Sequence, residues 1–299
     1  AMRLSEKIIA AVRDTFDTLL FFATMAVKED FRNYIKGSEP APMNPSRRLA
    51  ILGNGPSLAQ QLPELIACRE WDKADMVAVN FFALSDEFEL IRPKYYVISD
   101  PMFFRKAGQS ERITALYQAL ATKVDWPMTL YVQYYNPEHF DYQQAVGFNS
   151  NIRIVPFHTT VFHGFRKVEF WCYRRGLGSG NFGTVVQNAE FIGILLGYKQ
   201  IELYGVDHTL LDGLCVDEQN RLCRRQSHYY DNEPAEPKPI FFNATNPPRP
   251  YTMHLYLKET AELFRGHEVL RDWAEEQGVK IINRTKGSLI DAYEREARG

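Results

Sequence analysis

Short apolar runs recur at residues 49–52, 76–79, 95–99, 128–132, 152–155, 201–204 and 280–282, most of them rich in Val, Ile, Leu or Tyr and followed by a polar or small residue. Runs of that length with that composition predict strands. Between most of them the apolar positions change to helical spacing, most clearly over residues 110–120, 182–196 and 252–278. In the last of these, Leu255, Leu257, Leu263, Phe264, Leu270 and Trp273 supply the apolar side. Strands alternating with helices predict an α/β fold: a single, mostly parallel sheet of Rossmann type with helices on both faces. Ligands of such sheets sit beyond the carboxyl ends of the strands. The polar residues that follow strands are therefore the candidates to bind one: Asn54, Asn80, Asp100 and Asp207.

The two ends of the alternation differ from its middle. Residues 1–36 read as helical, with Ile8, Ile9, Val12, Phe16 and the run 18–27 on an apolar side, and three prolines then mark a linker that ends at residue 46. This amphipathic segment is suited to dock on the core, to pair with another subunit in a homo-oligomer, or to lie on a membrane surface as a peripheral contact. No run approaches the ~18 apolar residues of a membrane span. Between residues 208 and 250 the alternation breaks into an Arg-rich piece, the run Ser227-His228-Tyr229-Tyr230-Asp231, and a proline-rich stretch. A connection this long predicts a lid. The expected organisation is thus a helical segment and linker (1–46), a nucleotide-binding α/β domain (47–207), a lid insertion (208–250), and a C-terminal helix, strand and helix completing the domain (251–299).

Composition narrows the chemistry. Thirty-five Lys and Arg against 37 Asp and Glu give a net charge of -2 in 299 residues, which argues against a general nucleic-acid binder. Cys68, Cys172, Cys215 and Cys223 form no CxxC pair and read as the reduced thiols of a cytoplasmic protein. No metal-ligand pattern is apparent either.

The turn Gly53-Asn54-Gly55-Pro56-Ser57, between the first strand and a helix, is the strongest local signal. Its glycines allow close backbone approach, and a helix N-terminus behind them favours an anion. It is neither a Walker loop nor Gly-x-Gly-x-x-Gly. Asn54 and Asn80 follow the first two strands, where two carboxamides can converge at one edge of the sheet, and an amide both donates and accepts, which suits a nucleotide. Asp100, before Pro101, is placed to cap a turn, bind a ribose or hold a metal. A second small-residue loop, Gly176-Leu177-Gly178-Ser179-Gly180-Asn181-Phe182-Gly183-Thr184, leads into the helix that closes with Leu196-Gly197-Tyr198-Lys199, and the next strand ends Gly205-Val206-Asp207.

The order of these motifs, followed by Ser227-His228-Tyr229, resembles the bacterial lipooligosaccharide sialyltransferases of glycosyltransferase family forty-two. It is also similar to the wider group that holds the motility-associated-factor glycosyltransferases and the archaeal-type hydroxymethylpterin diphosphokinases. The similarity spans about residues 48–293. It implies a variant of the GT-A fold and an inverting transferase that needs no obligatory metal, takes a CMP-activated sialic acid or related keto sugar, and acts on a cell-surface glycan or glycolipid such as lipopolysaccharide. It further implies a cytoplasmic protein, at the inner face of the membrane where the acceptor is lipid-linked. By that resemblance Gly53, Asn54 and Gly55, with Ser57, meet the donor phosphate and ribose, Asn80 meets the nucleotide, and Gly183 and Thr184 meet the cytidine or sugar. His228 becomes the general base that deprotonates the acceptor hydroxyl. Where that family places tyrosines after the Gly-x-Asp strand, this chain has Thr209 and none over 210–226. Arg221, Arg224 or Arg225 are the substitutes on offer for the leaving phosphate, because a guanidinium pairs bidentately with it. The pterin reading instead requires Mg²⁺ with ATP, for which Asp100 and Asp207 are the carboxylates available; a third reading is a nucleotide-binding protein without catalysis. Near the C-terminus, residues 281–293 read as strand, polar loop and short helix, with Asn283 and Ser288 closing the nucleotide pocket or Ser288 serving as an N-cap.

Overall fold

The computed structural model describes residues 3–39, 46–104, 110–134, 140–180, 183–225, 236–242 and 247–296. A 25-residue helix, α1 (Leu4–Lys28), precedes strand β1 (Arg48–Leu52) and helix α2 (Leu58–Ala67). Then follow β2 (Ala74–Val79), the one-turn helix α3 (Phe88–Ile91), β3 (Tyr95–Ile98), α4 (Glu111–Lys123), β4 (Met128–Gln133), the one-turn α5 (Tyr142–Ala145) and β5 (Ile152–Phe157). Helices α6 (Arg166–Arg174) and α7 (Val185–Leu195) lead to β6 (Gln200–Tyr204). The short strands β7 (Leu214–Val216), β8 (Leu222–Arg224), β9 (Lys238–Pro239), β10 (Phe241–Phe242) and β11 (Arg249–Pro250) intervene before α8 (Met253–Glu276) and β12 (Lys280–Asn283).

Seven strands form one sheet in the order β12-β6-β1-β2-β3-β4-β5, and every pairing in it is parallel. This is the expected α/β architecture. Period-two alternation sends the strand side chains to two cores. Leu49, Ile51, Val77 and Val79 pack with α6, α7 and α8 around the fully buried Trp273. Ala50, Leu52, Met76 and Ala78 pack with α2 and α4 on the opposite face. From β1 to β5 the chain advances in one direction, and it then returns to lay β6 on the other side of β1. The carboxyl ends of β1 and β6 therefore flank a topological switch point, where an open α/β sheet leaves a crevice.

A buried ion cluster ties β1, β6 and the end of β12 together beneath that point. Glu202 is fully buried and accepts from Arg48 Nη1 and Arg284 Nη2 at 2.8 Å each, from the Tyr204 hydroxyl at 2.7 Å and from Gln200 Nε2 at 2.7 Å. Arg48 also bonds Glu70 at 2.6 Å. Burial alone would raise the pKa of Glu202, but the bonds from Arg284 and Tyr204 and the Arg48 charge outweigh it and hold the carboxyl at about 2.

The N-terminal segment differs from the expectation of helix through residue 36. α1 stops at Lys28 because polar side chains then capture the backbone: Asp30 accepts from the Arg32 amide and Asn33 from the Lys36 amide, both at 2.9 Å. Glu29 meets buried His158 at 2.7 Å and accepts from the Thr160 amide at 3.1 Å, which fastens the end of α1 to the loop after β5. Phe21 and Met25 are buried against Phe162, Cys172 and Leu177, whereas Leu4, Ile8, Ile9, Val12, Phe16 and Leu19 are exposed. Among the described residues no helix is long and apolar enough to cross a membrane. The described part of the expected lid forms two small antiparallel sheets, β7-β8-β9 and β10-β11. After β12 no helix forms over residues 288–293.

Candidate functional site

A cavity of about 480 Å³ lies over the switch point. The polar residues that follow strands converge on it: Asn54 after β1, Asn80 after β2, Asp100 after β3, Gln133 at the end of β4, and Asp207 and His208 after β6. The loop before α7 adds Gly183 and Thr184, and β8 adds Arg224.

The glycine turn after β1 is built differently from the phosphate cradle that its sequence suggests. Gly53 N–H donates to the Tyr204 carbonyl at 2.7 Å and Gly55 N–H to that of Gly205 at 2.8 Å. Both amides are thus engaged within the protein. Asp207 reaches across to the start of α2, where its carboxylate accepts from the Ser57 hydroxyl at 2.8 Å and the Ser57 amide at 3.4 Å. The anion at this helix N-terminus is therefore the protein's own carboxylate, which corrects the reading that Gly53, Gly55 and Ser57 offer N–H groups to a phosphate. Burial raises the Asp207 pKa, with the Ser57 bonds opposing it. The glycines are required for this contact: a Cβ on Gly55 would lie 1.7 Å from Asp207 Oδ2, and one on Gly53 would lie 2.4 Å from the Gly205 carbonyl oxygen.

A second helix N-terminus faces the cavity. Thr184 caps α7 in a reciprocal box, its hydroxyl accepting from the Gln187 amide at 3.4 Å while Gln187 Oε1 accepts from the Thr184 amide at 3.3 Å. That leaves the amides of Val185 and Val186, at the first two helical positions, with no partner inside the helix. Both residues line the cavity.

Around this positive end stand polar groups with spare bonding capacity. Asn80 is held in the left-handed region, at φ 51°, and its carbonyl accepts from the Tyr96 hydroxyl at 2.6 Å. Its side-chain Oδ1 is buried without a hydrogen-bond partner. Arg224 Nη1 donates to the Tyr256 hydroxyl at 3.3 Å and Nη2 to the Thr209 carbonyl at 3.4 Å, while its Nε is buried and unpartnered. No described carboxylate pairs with it. Asp100 Oδ1 accepts from the Met102 amide at 2.9 Å, so this exposed residue caps its own turn while lining the cavity.

The other expected site residues lie elsewhere. Arg225 is exposed and outside the cavity lining, and Arg221 is taken up by Asp217 at 2.7 Å. Ser288 does not close the pocket, nor does it cap a helix. It is buried, donates to the Val206 carbonyl at 2.7 Å and accepts from Asn283 Nδ2 at 3.0 Å, and so braces the strand end that carries Asp207. His228 lies outside the described residues. Among those described, no group of three or more His, Cys, Asp or Glu is placed to hold a metal ion.

From the sequence, His208, directly after Asp207, reads as a core histidine, a second acid-base group or a metal ligand, while His267, Tyr293 and Glu190 stay unread. His208 lines the cavity, and its Nε2 lies 2.9 Å from Nε2 of His267. His267 Nδ1 lies 3.0 Å from the Tyr293 hydroxyl, which donates to Glu190 at 2.5 Å. His267, Tyr293 and Glu190 are buried.

No protein-family model matches the chain, and no curated protein matches its sequence. Among solved structures it is similar to the MAf glycosyltransferase from Magnetospirillum magneticum AMB-1, at 12% identity and a TM-score of 0.46 over 89% of this chain; it spans only 37% of that protein's length. It is also similar to the sialyltransferase CstII from Campylobacter jejuni in complex with the substrate analogue CMP-3FNeuAc, at 17% identity and a TM-score of 0.43, over 84% of this chain and 86% of that one. TM-scores below one half leave the assignment of function to the site itself.

Proposed function

We propose that the chain is an inverting glycosyltransferase that takes a sugar, sialic acid or a related keto sugar, from a CMP-activated donor and places it on a glycan or glycolipid acceptor. The observation that carries this reading is the cavity at the switch point, which sets the N-terminus of α7, Arg224 with its unpartnered Nε and Asn80 with its unpartnered Oδ1 around one space. A nucleotide phosphate meets the Val185 and Val186 amides and the Arg224 guanidinium. Asn80 is left for the sugar or base edge.

Leaving-group chemistry follows from the same groups. As the acceptor oxygen attacks the anomeric carbon, the bond to the phosphate oxygen breaks and negative charge accumulates on the departing nucleotide. Arg224 and the α7 dipole are fixed in place to receive that charge and supply the role that tyrosines would otherwise take. On this reading no metal is required, because the positive charge comes from the chain.

The test is release of CMP from a CMP-activated keto sugar in the presence of chelator and a glycan acceptor. Arg224→Ala is expected to weaken CMP binding by about tenfold to 100-fold, since a bond to a charged group contributes roughly 1.5–3 kcal/mol. Unchanged affinity in that variant, or turnover only on addition of Mg²⁺, would contradict the assignment.

A further inference from the structure

The donor site explains Arg224, Asn80 and α7 but leaves unused the line of groups that runs from the cavity floor into the core. Its order fixes its protons. Tyr293 donates to Glu190, so its oxygen is free to accept, and it accepts from His267 Nδ1–H. His267 Nε2 then carries no proton and accepts from His208 Nε2–H. This leaves Nδ1 of His208 with a lone pair, and no described residue bonds it. The tautomer is set from behind, by a buried carboxylate two side chains away, as in sites where a third group orients a base.

We propose that His208 is the general base of the transfer, the role that the resemblance gives to His228, taking the acceptor hydroxyl's proton at Nδ1 while His267, Tyr293 and Glu190 hold its tautomer and absorb the charge. The inference rests on the glycosyltransferase reading and adds to it the residue that activates the acceptor. In the step, the acceptor O–H bond breaks and its proton goes to His208 Nδ1. The oxygen forms its bond to the anomeric carbon, and the nucleotide departs with the electron pair of the broken C–O bond. The Nε2 proton of His208 can then move to His267, the His267 Nδ1 proton to Tyr293 and the Tyr293 proton to Glu190, so that a positive charge need not stay on the ring.

Burial, and secondarily His267, lower the His208 pKa to about 3, so the resting ring is neutral but an imidazolium left on it would be costly, and the role requires the relay to Glu190. One feature supports this assignment over a packing role. The residue sits at φ 52°, in the left-handed region that a non-glycine residue seldom adopts. It is held there directly after Asp207, whose carboxylate is anchored to Ser57. His267, Tyr293 and Glu190 are positioning residues, since they act through His208.

The left-handed backbone suits the test, because glycine accepts it freely and asparagine more readily than most residues. His208→Gly opens a space the size of imidazole. With CMP-sialic acid as donor and a lactoside as acceptor, this variant should lose about 100-fold or more in transfer rate while binding CMP within about threefold of the unaltered protein, a difference of less than ~1 kcal/mol. Added imidazole should restore at least about tenfold of the loss, a gain of ~1.4 kcal/mol in transition-state stabilisation. His208→Asn can still donate to His267 yet offers no base; it should be equally slow and should not respond to imidazole. Transfer near the original rate in either variant would overturn the proposal, as would a loss in His208→Gly that imidazole leaves untouched. An unaltered protein that binds no CMP would instead overturn the transferase reading. A second measurement is independent of any substrate: ¹⁵N NMR of the histidine rings should show His208 as the Nε2–H tautomer with a bare Nδ1, and Tyr293→Phe should change that tautomer balance. A protonated Nδ1 in the resting protein would refute the base assignment.

Discussion

Replacing Glu202 by alanine is expected to destabilise the protein by about 3–5 kcal/mol, because removal of one member of a buried charge cluster strands the others. Arg48 and Arg284 would remain beneath the sheet, their side chains 22% and 12% exposed, with the central carboxylate gone. Glu70 and Glu296 would still meet one arginine each, at 2.6 and 3.6 Å, which keeps the loss nearer the lower figure. Chemical denaturation at neutral pH measures it directly. The same cluster makes an acid prediction. The folded Glu202 pKa, about 2, lies below its ordinary 4.5, so the stability it contributes is present above pH 4.5 and is lost as pH falls towards 2. At 1.36 kcal/mol per unit the loss amounts to about 3 kcal/mol. Glu202→Gln should lack this part of the acid dependence. A variant that unfolds with the unaltered midpoint and acid profile would show that the cluster is not the tie between β1, β6 and β12 described above.

Gly55→Ala is expected to cause the largest loss of activity from a single methyl group. Its Cβ would come within 1.7 Å of Asp207 Oδ2 and 2.7 Å of the Gly205 carbonyl oxygen, so the side chain, the strand end or both must move. Any such movement separates Asp207 from Ser57 and displaces His208, which follows it. A shift of about 1 Å at a reacting group costs on the order of 100-fold in rate, and a loss of that size in transfer is the expected result. The backbone of Gly55 is not left-handed, so alanine fails there for want of space alone. A crystal structure of the variant showing Asp207 still bonded to Ser57, together with an unaltered rate, would contradict the account of this turn.

The sheet is largely legible in the sequence because most of its strands are short runs of mainly buried residues, and such runs survive without knowledge of their neighbours. Cavity-lining positions are legible to the same depth. Asn54, Asn80, Asp100 and Asp207 stand within three residues of strand ends, and parallel strands deliver such residues to one edge. What is not legible depends on contacts between distant segments. The start of α2 reads as an anion site, yet the anion that fills it comes from Asp207, 150 residues away. Glu190 and His267 lie on the core-facing sides of α7 and α8, where they resemble ordinary interior positions, and Tyr293 lies in the tail after β12. Only the packing of α8 beside α7 sets them in line with His208. Ser288 reads as a cap or pocket residue because nothing local reveals that its hydroxyl is spent on the Val206 carbonyl. The helical reading of residues 29–36 fails for a local reason that the sequence does contain: Asp30 and Asn33 are residues that compete for backbone amides.

The central claim is that the cavity between the ends of β1 and β6 binds the nucleotide of an activated sugar without a metal. Calorimetric titration of the purified protein with CMP in the presence of chelator, alongside ATP with Mg²⁺ under the same conditions, tests it most directly. The account predicts one CMP per chain, with heat that diminishes in Arg224→Ala. Binding of Mg-ATP alone would contradict it and transfer the site to pyrophosphoryl chemistry.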